Sequence, residues 1–248
     1  MTIEKCFIVA ALVISAPIVT HAATYSAADN TLPAAPFTRY DADHFASAFP
    51  LSPYFGTGFN AAHSVAGSVY DSGATDTGKY TFWYTDAVPL NPAVGFEIAA
   101  MLRVTASTSS SVDRAGIAIA FTDSSNQYSE LYLSTNGIFL NGVGRTHDAS
   151  AAYAIDTTDT FREYVLRVNG TNVSVLVDGS PVLSGFTFDA NSVNAPTLPN
   201  WAVLGDITGS AAGQFESTGW FVAAVPEPSV LGLATIAGIS LLRHKPRV

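Results

Sequence analysis

Cysteine is almost missing from this chain. Of its 248 residues only Cys6 is one, and it sits at the start of the first apolar stretch. From Ala23 onward the chain therefore has no disulfide, no thiol nucleophile and no cysteine metal site. A lipoprotein anchor would place the cysteine after that stretch, so lipidation is not expected. Charge is also scarce, at 12% of residues, about half the usual share. Basic charge is the scarcest. Setting aside the two termini, with Glu4, Lys5, Glu227, Arg243, Lys245 and Arg247, leaves 18 acidic against 7 basic residues and Lys79 as the one lysine. A middle at about −11 repels nucleic acid and anionic lipid, and it is compatible with neutral glycans and cations. Catalytic signatures are missing too. There is no phosphate-binding Gly-Lys-Ser/Thr loop, no Gly-x-Ser-x-Gly elbow and no His-Glu-x-x-His pair. His44, His63 and His147 stand apart in sequence. Asp41-Ala42-Asp43-His44 lacks the glycine and the closing glutamate of a calcium loop.

What is present begins with two apolar ends. Lys5 and the free amino group precede an apolar run from Cys6 to Val19, and Thr20-His21-Ala22 then offers small residues at the −3 and −1 positions of a cleavage site. The run is short for a membrane span and carries Pro17. The expectation is a signal peptide over residues 1–22, removed by signal peptidase between Ala22 and Ala23.

At the other end, Val225-Pro226-Glu227-Pro228-Ser229 precedes an apolar segment from Val230 to Leu242 and a basic close, Arg243-His244-Lys245-Pro246-Arg247. The two prolines keep the backbone extended and deny it helical hydrogen bonds. The apolar segment can enter a bilayer as a short helix, with the basic cluster held on the cytoplasmic side. As a helix it rises only about 20 Å, so flanking snorkelling or local bilayer thinning has to make up the difference. This three-part order resembles the PEP-CTERM sorting signal of Gram-negative bacteria. The resemblance implies that Pro226, Glu227 and Pro228 are read by the membrane enzyme exosortase, which cuts nearby. The helix at 230–242 is then a transient inner-membrane insertion, and the protein is released to the outer surface or the exopolysaccharide matrix.

The middle reads as strands. Short runs rich in Val, Ile, Phe and Tyr lie between Gly, Asn, Asp and Pro. Candidates are 79–85, 95–105, 115–122, 128–134, 137–141, 161–169, 171–178, 181–186, 201–205 and 215–221. Val173, Val175 and Val177 alternate with Asn172, Ser174 and Leu176, the period of a strand with one face on a core. Asn169-Gly170 predicts a two-residue hairpin turn and Asp178-Gly179 a second. No sustained helical period occurs. Residues 23–78, with Pro33, Pro36, Pro50 and Pro53, read as an irregular segment carrying one or two strands that join a sandwich core at 79–224. The expected fold class is all-β: a two-sheet antiparallel jelly-roll sandwich.

The run Phe96 to Val104, the glycine-led run Ala115 to Asp123, the hairpin Phe161–Val168 with Val173–Gly179, and Leu204-Gly205-Asp206 resemble, in that order, the concanavalin A-like lectin/glucanase fold, laminin-G modules included. The glucanases of that fold carry Glu-x-Asp-x-Glu on one strand, which puts two carboxylates on one sheet face. No such triplet occurs here: Glu97 is alone in its strand, and Asp156, Asp159 and Glu163 are spread over a turn. The resemblance therefore implies a non-enzymatic lectin-like or structural module, with a glycan hydrolase or lyase as the alternative. It also makes calcium the ion to consider, at loop carboxylates such as Asp71, Asp76, Asp123, Asp148 and Asp206, although aspartate caps turns without any metal. Among aromatics that could stack on sugar, Tyr128 and Tyr132 are an even number apart and share a strand face.

Overall fold

The computed structural model describes residues 22–43, 63–77, 79–141, 146–187, 189–190 and 199–225. Both expected membrane-interacting ends, with Pro226, Glu227, Pro228 and the helix at 230–242, lie outside the described residues, as does His44. Among the described residues no helix is long and apolar enough to cross a membrane.

The strands are β1 (Ala22–Ser26), β2 (Thr38–Asp43), β3 (Ser64–Ala66), β4 (Val69–Asp71), β5 (Lys79–Thr85), β6 (Phe96–Ser109), β7 (Ile117–Thr122) and β8 (Gln127–Ser134). They continue with β9 (Gly137–Asn141), β10 (His147–Ala154), β11 (Arg162–Asn169), β12 (Asn172–Val177), β13 (Ser180–Thr187), β14 (Asp189–Ala190), β15 (Trp201–Asp206) and β16 (Ala211–Ala224). One sheet runs β13-β12-β11-β6-β16-β4-β3, with β1 also on β16. The other runs β10-β9-β8-β7-β15-β5-β2, with β14 also on β8. Every pairing is antiparallel. The all-β two-sheet antiparallel sandwich expected from the sequence is the fold observed.

Alternation along each strand sets the layers. In β12, Val173, Val175 and Val177 enter the core between the sheets, as their spacing requires. In β7, Ile117, Ile119 and Phe121 face that same core, yet Ala118 and Ala120 between them are also buried, in a second apolar cluster on the opposite face. All six residues of β7 and all six of β15 are buried. A strand covered on both faces has no polar side to show, which explains why Ile-Ala-Ile-Ala-Phe reads as an unbroken apolar run.

Residues 22–71 hold four described strands, more than the one or two expected, and they feed both sheets. They are anchored by rings. Tyr25 packs 4.3 Å from Trp220 and Phe37 5.9 Å from it, while Trp83 Nε1 donates to the Tyr70 hydroxyl at 2.8 Å. Strand β10, Ala- and Ser-rich, was not foreseen either. Pairing with β9 holds it where intrinsic strand preference is weak. The outer face of the β6 sheet carries cross-strand ion pairs, Arg103–Glu216 at 2.7 Å and Arg167–Glu97, each between residues in direct register.

The two tight turns divide. Asp178 and Gly179 both take positive φ, 50° and 76°, between paired Val177 and Ser180, as expected. At the other hairpin the register is one residue later than expected. Asn169 still pairs with Asn172, so the turn residues are Gly170 and Thr171, with only Gly170 at positive φ (59°). Glycine leading a two-residue turn is the II′ pattern.

Gly205 has φ +140°, and a Cβ there would lie 2.4 Å from Thr81 O and 2.7 Å from Phe82 Cα on the neighbouring strand. Gly205→Ala is expected to destabilise the fold by about 2 kcal/mol or more, through overpacking against backbone. Chemical denaturation checks this; a midpoint within error of the parent would show that β5 and β15 can separate at no cost.

Candidate functional site

The face of the β8 sheet turned away from the inter-sheet core is where the sequence placed its aromatic pair. Tyr128 and Tyr132 do share a side of β8, with Leu131 and Leu133 on the other. That side is not open, however: Tyr128 is 3% exposed and Tyr132 0%. Their expected role as glycan-stacking rings is therefore corrected, because both belong to the second apolar cluster together with Tyr80, Phe82, Phe139 and Trp201. Phe139 stacks on Tyr132 at 5.4 Å, the Arg114 guanidinium lies 5.7 Å over the same ring, and His147 meets Phe139 edge-on at 4.6 Å.

Between the two tyrosines, on the same side of the strand, stands Glu130, which sequence reasoning passed over. It is 0% exposed. One carboxylate oxygen accepts from the Tyr128 hydroxyl, and the other accepts from Asn141 Nδ2 at 3.0 Å across the β8–β9 pair. Burying a carboxylate is costly unless its oxygens are hydrogen-bonded, and here both are. The signal was available in the sequence: Tyr128-x-Glu130-x-Tyr132 is the same i, i+2, i+4 pattern that marks one strand face. Same-face neighbours on a strand are about 7 Å apart, the spacing that suits paired carboxylates for glycosidic cleavage. At Glu130 those two flanking positions are tyrosines.

The aspartates considered for calcium are held by their own turns. Asp71 Oδ1 accepts from Gly73 N (2.9 Å) and Gln214 Nε2 (2.8 Å). Asp123 Oδ1 accepts from Ser125 N (2.7 Å) and Gln127 N (2.8 Å), an Asx turn. Asp206 is approached by the Thr75 hydroxyl and by Thr208 N at 3.2 Å. Asp76 is exposed. Among the described residues no three His, Cys, Asp or Glu side chains gather as a metal site would need. His63 packs 6.3 Å from Tyr70 and 6.2 Å from Trp83 and contacts Arg39.

Asp206 is 2% exposed. Burial pushes its carboxyl well above the usual range, against the opposing pull of hydrogen bonds from Thr75, Thr208 and Gly213. Thr75 Oγ1, which donates to Asp206, also sits 3.0 Å from the Gly213 carbonyl. Burial raises Asp123 as well.

No protein-family model matches the chain, and no curated protein does. Among solved structures, the chain is similar to a prokaryotic β-1,3-1,4-glucanase (lichenase) from a mouse hindgut metagenome, at 12% identity and TM-score 0.47, over 83% of this chain and 99% of that one. It is similar to the VIP36 exoplasmic/lumenal domain in a Ca2+/mannose-bound form, at 8% identity and TM-score 0.41, over 66% and 81%. A carbohydrate esterase from Shiga toxin-encoding bacteriophage phi24B matches at 14% identity and TM-score 0.40, over 63% and 89%. No residue role passes to this chain from likenesses this distant.

A carboxyl whose pKa is raised by folding stabilises the fold while protonated, and that contribution is lost as pH rises through the folded-state value. Asp206→Asn keeps the acceptor for Thr208 and is neutral at every pH. It is expected to raise Tm by a few degrees at pH 8, with the gain shrinking toward pH 4. A Tm difference independent of pH in thermal melts would mean that Asp206 is ionised in the fold throughout.

Proposed function

We propose that this chain is an exported bacterial surface or exopolysaccharide-matrix protein whose sandwich is a non-enzymatic, glycan-associated module, processed by signal peptidase and exosortase. The observation that carries the non-enzymatic part is the environment of Glu130. Its two oxygens are committed to Tyr128 and Asn141, it is fully buried, and its same-face neighbours are tyrosines. Neither a nucleophile facing substrate nor a second acid for protonating the leaving group is available there.

Processing is supported by where the ends of the fold lie. Ala22 pairs with Ala223 and Ala23 with Val222, so the first residues of β1 lie beside the last of β16. The proposed signal peptidase bond is thus inside a formed strand pair, and Ala23 is 1% exposed. The proposed cleavage would then come before β1 docks on β16, the last described strand. At the other end, Val225 N donates to Gly95 O at 3.0 Å, and Pro226 follows with no N–H to donate. The proposed recognition motif therefore begins one residue after Val225, the end of the described chain.

Two measurements test this. Mass spectrometry of the extracellular fraction from an exosortase-bearing host should find the mature N-terminus at Ala23 and no peptide spanning Arg243–Val248; an intact basic end on matrix protein would refute the processing. Incubation with β-1,3-1,4-glucan, mannan and the host's own exopolysaccharide should release no reducing ends or unsaturated products, and turnover of any of them would establish the hydrolase or lyase alternative instead.

A further inference from the structure

At one end of the sandwich the β8–β9 turn meets the connection from β10 to β11. Thr135, Asn136, Ala154, Ile155, Asp156 and Thr158 line an open depression there, of about 470 Å3, within the range of small-ligand sites. Its two walls are bolted together. Ile155 N donates to Asn136 O (3.3 Å) and Thr157 N to Thr135 O (3.3 Å). The Thr157 hydroxyl donates to Ser134 O at 2.6 Å, and Thr157 O accepts from Val104 N at 3.0 Å. Thr157 is 0% exposed, while Asp156 and Thr158 on either side of it are exposed. The buried threonine thus fixes the two polar side chains at the rim before any ligand arrives, which lowers the ordering cost of binding.

The polar groups on the rim are matched to hydroxyls. Asp156 Oδ1 accepts from Thr158 N (2.8 Å) and Thr158 Oγ1 (2.7 Å), leaving Oδ2 to accept from a ligand. Those bonds from Thr158, with smaller help from Asp159 N–H and Arg162, hold the carboxyl below its usual range, so it remains an ionised acceptor. Asn136 Oδ1 accepts from Ser134 Oγ at 3.0 Å, which leaves its Nδ2 to donate. Ala154 and Ile155 supply an apolar wall. The nearby cation, Arg162, is engaged by Asp159 at 2.9 Å and Asp178 at 3.1 Å, so an anionic ligand meets unneutralised negative charge. A single exposed carboxylate is too few oxygens to hold a divalent cation.

We infer that this depression binds the neutral, hydroxyl-rich end of a glycan, with Asp156 accepting from a hydroxyl pair and Asn136 donating to it. The inference rests on the glycan-associated reading above and gives it a location away from the buried tyrosine face. The test is saturation-transfer NMR on the full-length chain in a sugar-free detergent, with methyl α- and β-glycosides of glucose, mannose and galactose as probes and methyl glucuronide as the charged control. At least one neutral glycoside should bind and the glucuronide should not. Asp156→Ala should weaken that binding tenfold or more and Asn136→Ala several-fold, while Val112→Ser, an exposed change outside the site, leaves it intact. If Asp156→Ala fails to fold, Asp156→Asn keeps the turn and should still weaken binding by removing the charge. No neutral glycoside bound, or affinity unchanged from the parent in both Asp156→Asn and Asn136→Ala, overturns the site. Co-sedimentation with exopolysaccharide separates the two readings: retention undiminished by Asp156→Asn refutes this depression and leaves the matrix role standing, whereas glycoside binding without exopolysaccharide retention refutes the matrix role and keeps the site.

Discussion

The pairing of β6 with β16 is the contact on which the rest of the sandwich depends. Each strand is 14 residues long, and they run antiparallel from Ala211 opposite Ser109 to Ala224 opposite Phe96, with two register shifts along the way. On its far side β6 holds β11, which carries the β12 and β13 hairpins, and on its far side β16 holds β1 and β4. Strands β1, β3 and β4 thus have no place in their sheet until β16, the last described strand, arrives. Closing a loop of over a hundred residues adds little entropy for each further residue, but that entropy must be given up before the contact rewards it. At this edge of the sheet the strands stay unpaired until β16 is made, which is compatible with the proposed cleavage at the Ala22–Ala23 bond that β1 and β16 later enclose.

The middle of the second sheet, β7, β8 and β15, is buried on both sides, and that fact redirects the search for function. An open aromatic face would have presented Tyr128, Tyr132 and Trp201 as a stacking platform. In the fold they are cluster residues, and Glu130 among them is satisfied by its neighbours instead of poised for chemistry. The groups free to meet a ligand lie at the sandwich end, on turns pinned by a buried threonine. Binding residues on loops held by a rigid scaffold are a common solution, because loops carry polar groups that a packed face cannot accommodate.

Most of the strand pattern was legible. The alternating valines of β12, the continuous apolar run of β7 and the Asp178-Gly179 turn each follow from a local rule, and β5 and β9 fall at the residues expected. The misses share a cause. Strand β10 is His-Asp-Ala-Ser-Ala-Ala-Tyr-Ala, with little preference of its own, and exists because β9 offers it a ladder. The four strands between residues 22 and 71 are short, with prolines in the sequence between them, and β1, β2 and β4 are held by distant partners. The Asn-Gly hairpin slipped by one residue because pairing of Asn169 with Asn172 outweighed the local turn preference of Asn.

What the sequence determined by itself was what nearest neighbours along the chain can fix: the period-2 strands, the lack of any thiol chemistry, the acidic middle and the two terminal segments that read as export and sorting signals. Only the tertiary structure decided whether a strand face is wet or covered. A period of two says that Tyr128, Glu130 and Tyr132 share a face, but it cannot say what packs against that face, because Phe139, Asn141 and Arg114 reach it from other strands and loops. The same limit hid the Asp156–Asn136 depression, whose walls are 20 residues apart in sequence and are brought together by the hydrogen bonds of Ile155 and Thr157 to the β8–β9 turn.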